Sequence, residues 1–505
     1  MIKMLLMTLD LQWRLKKSSM KSCGDFAASP FQDALRPRPA LLKVLYPKGE
    51  CVDNISNISI SNESNRTPQT VTLGQAFIYW LKLGFMSFGG PAGQISIMHH
   101  ELVEKKRWIS EKRFLHALNY CMVLPGPEAQ QLAVYIGWLM HRTWGGVIAG
   151  MLFFLPSFFI LTGLAWIYMA YGSVPAVAGA LYGIKPAVVA IVLFAAYRIG
   201  TRALKNNVLW WIAVLAFIAI FALKLPFPLI VLAAGLIGHF GGRITPQYFK
   251  VGGGHGTADK DFGRALIDDD TLTPEHALFS WAKMAYIAVV GVVLWLVVMA
   301  GLIVSYGWDS AFTQMGWFFT KAALLTFGGA YAVLPYVYQG AVEHYHWLNP
   351  TQMIDGLALG ETTPGPLIMV VTFVGFVGGW VSQVFGPDAI FASAFVAAAI
   401  VTFFTFLPSF IFIFMGGPFI ETTHGNLKFT APLSAITAAV VGVIFNLALF
   451  FAYHVFWASG LSSSIDWFSI NLTTLAAIAV FRFKVNVIPV ILACGGLGIV
   501  FKLFT

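Results

Sequence analysis

Residues 88–94 read Phe88-Gly89-Gly90-Pro91-Ala92-Gly93-Gln94, and residues 327–329 read Phe327-Gly328-Gly329, an offset of 239. In the same register, without a gap, Glu104 falls on Glu343, Trp108 on Trp347, and Pro125-Gly126-Pro127 on Pro364-Gly365-Pro366. After an insertion the offset becomes 252, so that Leu155-Pro156-Ser157-Phe158 matches Leu407-Pro408-Ser409-Phe410 and Val188-Val189 matches Val440-Val441. Chance does not hold one register through glycine, proline and tryptophan over such a length. The chain is a duplicated unit.

Composition says where that unit resides. Of 505 residues 58% are hydrophobic and 11% charged, with a mean hydropathy of +0.74. A soluble protein carries about 25% charged residues, so a water-soluble globular fold is excluded. Runs such as Met151–Ala170, Val208–Leu223 and Met284–Val304 suit a hydrocarbon core of about 30 Å. Apolar runs of that length form helices rather than a barrel. The expected fold class is an all-α polytopic membrane protein, with the lipid bilayer as its first partner.

Several other classes fall away. The net charge of +9 comes with no nucleic-acid motif, and Lys and Arg collect in cytoplasmic loops for insertion reasons. Cys23, Cys51, Cys121 and Cys494 have no metal or redox spacing. His99-His100 and the pair His344 and His346 read as interfacial histidines. Gly252–Gly256 with His255 lacks the Gly-Lys-Ser/Thr ending of a P-loop. Asp268-Asp269-Asp270 reads as a solvated charge run. No catalytic residue, metal or cofactor is expected. Residues 1–70 are polar and read as a disordered cytoplasmic tail; Asn54, Asn57, Asn62 and Asn65 fit the glycosylation pattern there through composition.

The matched loops differ in charge. His99–His116 carries Lys105, Lys106, Arg107, Lys112 and Arg113, whereas its equivalent Tyr338–Asp355 carries no Lys or Arg. Arg142 likewise has no basic counterpart in Trp380–Ala389. The positive-inside rule then sets the matched loops on opposite sides of the membrane, the mark of an inverted-topology repeat. The expected organisation is a tail (1–70), a first repeat (71–241), a cytoplasmic linker (242–283), a connecting transmembrane helix (284–306) and a second, inverted repeat (307–505). About thirteen hydrophobic segments result, two in each half broken or re-entrant. The N-terminus is then cytoplasmic and the C-terminus external. Arg198, Arg202 and Lys205 fall on the inner side.

Glycine pairs and Pro-Gly-Pro break a helix, and a helix that resumes in mid-membrane presents unpaired N–H groups that suit an anion. The candidate binding residues are therefore Gly89, Gly90, Gly93, Gln94, Pro125, Gly126, Pro127, Gln131, Gly328, Gly329, Pro364, Gly365 and Pro366, with Gln130 as a further donor. The competing reading of the glycines is close helix packing. Lys82 and Lys321 form a repeat-related cationic pair six residues before each Gly-Gly, and Ser87 and Thr326 a hydroxyl pair; the alternative for the lysines is snorkelling to the interface. Lys185 is either another anion ligand or a boundary residue. Glu128 and Glu361 are candidates for proton coupling or lysine pairing, or else cap their own helices.

These motifs carry a resemblance. Phe88-Gly-Gly-Pro-Ala-Gly-Gln94, the loop ending Lys106-Arg107-Trp108, and Leu124-Pro-Gly-Pro-Glu-Ala-Gln-Gln131 resemble the first half of the chromate ion transporter family. Thr326-Phe-Gly-Gly-Ala-Tyr-Ala-Val-Leu-Pro335 and Gly360-Glu-Thr-Thr-Pro-Gly-Pro366 resemble its second half, so the chain is similar to the long two-domain form over about residues 72–505. The resemblance implies export of chromate across the bacterial inner membrane, giving chromate resistance, driven by membrane potential or proton gradient. It also implies sulfate as the related oxyanion; a sulfate or general oxyanion carrier that takes chromate by mimicry is the alternative. A homodimer is kept as one option for its assembly.

Overall fold

The computed structural model describes residues 70–88, 90–249, 264–327, 329–422, 430–457 and 464–504. The tail up to residue 69 with its four Asn-x-Ser/Thr sites, Gly89, Gly328, the Gly252–Gly256 run and Lys428 lie outside the described residues.

Local sequence sets the helix boundaries. Thr72 and Gln75 cap each other's backbone N–H groups at 3.3 and 3.0 Å and start α1 (Leu73–Met86). The chain then breaks and resumes as α2 (Gly90–Met98), which continues as a π-helical turn, His99–Lys105. Helix α3 (Glu111–Cys121) is capped by Ser110 and ends before Pro125-Gly126-Pro127. Helix α4 (Glu128–Tyr171) follows, interrupted where Arg142 takes φ of 56°. Then come α5 (Pro175–Ala203), α6 (Asn207–Phe221), α7 (Phe227–Ile244), the short α8 (Pro246–Phe249) and the connector α9 (Trp281–Tyr306).

The second half repeats the order. Helices α10 (Ala311–Leu324) and α11 (Ala330–Tyr338) match α1 and α2 in length, 14 and 9 residues. A π-helical turn, Gln339–His344, again follows. Next are α12 (Pro350–Thr362), capped by Asn349, α13 (Val370–Ser382), α14 (Ile390–Thr422) and α15 (Thr430–Phe456). Helices α16 (Trp467–Phe481) and α17 (Val487–Phe504) match α6 and α7 in length, 15 and 18 residues. Among the described residues no β-strand forms, and seven helices are long and apolar enough to cross a membrane. The protein is an all-α polytopic membrane protein. Helices α1, α2, α10 and α11 are too short to cross alone, since about 20 residues are needed.

The two halves are interlaced. The last hairpin of each half packs on the other half: α16 and α17 lie along α5, and α6 and α7 lie along α15. Small residues let these backbones touch. A β-carbon on Gly183 would sit 2.1 Å from the Cys494 carbonyl oxygen, and one on Gly238 would sit 2.7 Å from that of Ala431. Lipid offers no hydrophobic drive between helices, so such close van der Waals packing is what holds them together.

The linker departs in part from the expectation of a solvated acidic run. Ile267 pairs with Ile109 in a β-bridge, and the Asp268 carboxylate accepts the Ala265 N–H at 2.8 Å. Asp269 accepts the Ser110 hydroxyl at 2.6 Å. Asp268 thus folds residues 265–271 on themselves, and Asp269 clips them to the basic loop. Asp269 and Asp270 both stay exposed, as expected of a solvated run.

Candidate functional site

At the centre the two halves cross through reciprocal contacts. The Gly126 N–H donates to the Thr326 carbonyl at 2.8 Å, and its equivalent, the Gly365 N–H, donates to the Ser87 carbonyl at 2.7 Å. Each Pro-Gly-Pro turn therefore caps the broken end of the other half's first helix. The Ser87 and Thr326 hydroxyls, both buried, turn back onto Leu83 and Ala322, each at 2.7 Å. Glycine is required at both turns. Gly126 and Gly365 have φ of 130° and 112°. A β-carbon on Gly126 would lie 2.4 Å from Ser409 Oγ and 2.6 Å from Gln131 Nε2, and one on Gly365 would lie 2.6 Å from Ser157 Cβ. Ser157 and Ser409 are themselves repeat equivalents.

Polar side chains line this crossing. The Gln94 amide, 1% exposed, donates to the Gly365 carbonyl at 2.6 Å, and the Gln131 amide donates to Pro125 at 2.8 Å. Among the described residues, Ser157 Oγ and both amide atoms of Gln130 are buried without a hydrogen-bond partner. Orphaned polar atoms are costly in an apolar interior, so a polar ligand at the crossing is chemically reasonable.

Charge is distributed unevenly over the two breaks. Arg198 Nη2 lies 3.9 Å from where a β-carbon on Gly90 would sit, and Glu128 Oε1 lies 4.0 Å from the equivalent point on Gly329. The Tyr331 hydroxyl donates to Glu361, which also feels the charge of Arg198; Arg202 acts on Glu128. Arg198 and Arg202, one turn apart on α5, read from sequence only as inner-side loop charges. Their i, i+4 spacing on an apolar helix was the signal of a paired site.

The structure does not bring Lys82 and Lys321 to the breaks. Lys82 shares an outer stripe of α1 with Ile78, 68% exposed, and Phe85. Lys321 occupies the equivalent stripe of α10 between Trp317 and Leu324, with its ammonium 5.6 Å from the Trp317 ring centroid. Both stripes face away from the crossing, the placement of a snorkelling lysine. Gly93 lies within α2, where a β-carbon would meet the Phe88 carbonyl oxygen at 2.8 Å.

Lys185 lies about 20 Å along α5 from Arg198, at 1.5 Å per residue. Its ammonium is 3.6 Å from Asp355, which is 2% exposed and also accepts the Tyr168 hydroxyl at 3.0 Å. A recess of about 110 Å³ adjoins it, lined by Tyr182, Lys185, Asp466 and His454 among others. The repeat equivalents of Asp355 and Tyr168 are His116 and Ile420, which are also in contact, His116 Nε2 to Ile420 O at 3.0 Å. Next to that contact, Glu421 meets Arg113 at 3.5 Å, the Tyr135 hydroxyl and the Thr273 hydroxyl at 3.4 Å. Each half thus fastens its α3 or α12 to the end of a long helix, α14 or α4, of the other. Among the described residues no cluster of His, Cys, Asp and Glu could hold a metal ion.

Comparison with known proteins accords with this duplicated design. The chromate transporter family profile matches residues 74–239 and again 313–499. A chromate transport protein of Pseudomonas aeruginosa is 33% identical over 85% of this chain and 93% of its own length. One from Cupriavidus metallidurans is 30% identical over 75% of this chain and 83% of its own. An uncharacterised transporter of Bacillus subtilis is 30% identical over 28% of this chain and 71% of its own length. No solved structure matches the chain. With its profile found once in each half, the chain belongs to the chromate transporter family.

Proposed function

We propose that this protein exports chromate across the bacterial inner membrane by alternating access between two oppositely oriented halves, and so confers chromate resistance. The observation that carries the reading is the reciprocal crossing: Gly126 bonds to Thr326 and Gly365 to Ser87, so both Pro-Gly-Pro turns and both broken helices meet at one polar locus. Transporters of inverted repeats bind substrate at such a locus, between discontinuous helices. The loop charges set the basic segment 105–113 inside and its uncharged equivalent outside. The fastenings at His116–Ile420 and Asp355–Tyr168 then lie on opposite faces, where rocking of the halves would open one and close the other.

Voltage suffices as a driving force. Moving one elementary charge is worth about 2.3 kcal/mol per 100 mV, so a dianion leaving a negative-inside cell gains about twice that. Labelled chromate uptake into everted vesicles, energised and de-energised, with and without excess sulfate, tests the proposal. Energy-dependent accumulation that resists sulfate is the expected result. Accumulation erased by sulfate makes sulfate the natural substrate, and no uptake by correctly inserted protein refutes chromate transport.

A further inference from the structure

The two breaks are related by the repeat, yet one faces a guanidinium and the other a carboxylate. We propose that the oxyanion binds at a single seat, between Gly90 and Arg198, and that Glu128 fills the equivalent seat at Gly329 as a built-in anion. The inference rests on the transport reading above and assigns the seat within it.

Three observations support the assignment. First, the space beside each glycine is open. Among the described residues and apart from chain neighbours, only Arg198 Nη2 comes within 4 Å of a β-carbon position on Gly90, and only Glu128 Oε1 does so on Gly329. Second, the Gly90 side carries uncommitted donors. Among the described residues Arg198 makes no side-chain hydrogen bond, and the buried Ser157 hydroxyl, 3.1 Å from the β-carbon position of Gly365, has no partner. Gly365 in turn is tied to Ser87 and Gln94 at the same break. A guanidinium fork, a hydroxyl and the first N–H groups of α2 form a donor set for a tetrahedral oxyanion. Third, a carboxylate lies near enough to act on Arg198. Glu361, hydrogen-bonded to Tyr331 at the start of α11, attracts the guanidinium while leaving it partly uncovered; Tyr331 and Glu361 are positioning residues.

The carboxylate at Gly329 explains why the pseudo-symmetry does not yield two sites. A dianion there would meet Glu128 at close range, and like charges in a poorly solvated site repel strongly.

Equilibrium binding of labelled chromate and of labelled sulfate to the purified full-length protein in detergent tests this, with the melting temperature followed in parallel. Wild type is expected to bind one anion per chain. Arg198→Gln should weaken binding about 10- to 100-fold, the loss of a charge-assisted hydrogen bond, in a variant whose melting transition shows it to be folded. Arg198→Lys keeps the charge but not the fork and should weaken it several-fold; it serves where the glutamine variant does not fold. An affinity within threefold of wild type in either folded variant overturns the seat, as does a stoichiometry of two. Binding of sulfate alone by wild type refutes the chromate reading and leaves the same variants to judge the seat with sulfate. Binding of neither anion refutes both.

Discussion

Gly365→Ala perturbs the crossing at its tightest point. Alanine at φ of 112° enters a backbone region that costs about 1–3 kcal/mol outside glycine. Its β-carbon would also lie 2.6 Å from Ser157 Cβ, an overlap that is relieved by shifts costing about 1–3 kcal/mol in a packed interior. Together the two terms predict a destabilisation of about 2–6 kcal/mol and loss of the 2.7 Å hydrogen bond to Ser87. They can be separated, because Ser157→Gly removes the overlap and leaves the backbone strain. Melting in detergent and vesicle transport should therefore both fall in Gly365→Ala, and the melting temperature should recover in part in Gly365→Ala/Ser157→Gly. Gly163→Ala, with nothing within 4 Å of its β-carbon position, is the control and should be neutral or mildly stabilising. If Gly365→Ala melts and transports like that control, the turn does not hold the crossing as described.

Glu421→Ala leaves Arg113, 15% exposed, without its carboxylate and should cost about 3–5 kcal/mol; an unchanged melting temperature would show the network to be idle. Lys185→Ala strands the buried Asp355 carboxylate and should cost a similar amount, whereas Lys185→Ala/Asp355→Asn should be the more stable of the two, read by melting; equal loss would argue against the pair. Lys82→Gln with Lys321→Gln is expected to keep most chromate transport, since both lysines stand on outward stripes; abolished flux in a normally inserted protein would return them to the substrate path. A cysteine replacing Lys106 should be shielded from an impermeant external thiol reagent and one replacing His344 should label, and the opposite pattern would reverse the proposed orientation.

The helices and their breaks were legible because they rest on local chemistry: apolar runs, glycine pairs, Pro-Gly-Pro and a register that repeats them. The repeat also foretold which residues would be equivalents, Ser87 with Thr326 and Gly126 with Gly365, but not that each would bond across to the other half. Such pairing depends on how the halves interlock, which no periodicity encodes. The side-chain direction of the lysine pair was hidden for a related reason. Symmetry and spacing put Lys82 and Lys321 near the glycines, but a shift of one residue turns a side chain by about 100° around a helix. That rotation separates the buried face of Leu83 from the exposed stripe of Ile78, Lys82 and Phe85. Arg198 and Arg202 escaped notice because sequence counts a cation near a helix end as a topology signal. Whether it also reaches inward is decided by neighbours from the distant half.

The exchange of terminal hairpins has a consequence for biogenesis. Gly183, whose β-carbon position lies 2.8 Å from Gly498 Cα, waits for that residue 315 positions further along the chain, and at about 5–20 residues per second that delay lasts about 15–60 s. Throughout it α5, with its glycine face and two arginines, sits in the bilayer without α16 and α17. The nascent first half is then an open clasp that needs lipid, insertion machinery or a chaperone to shelter it, and ribosome stalling or truncation between α9 and α15 would strand it. The same geometry lets two separately made halves find one another, since each carries the strap that closes its partner.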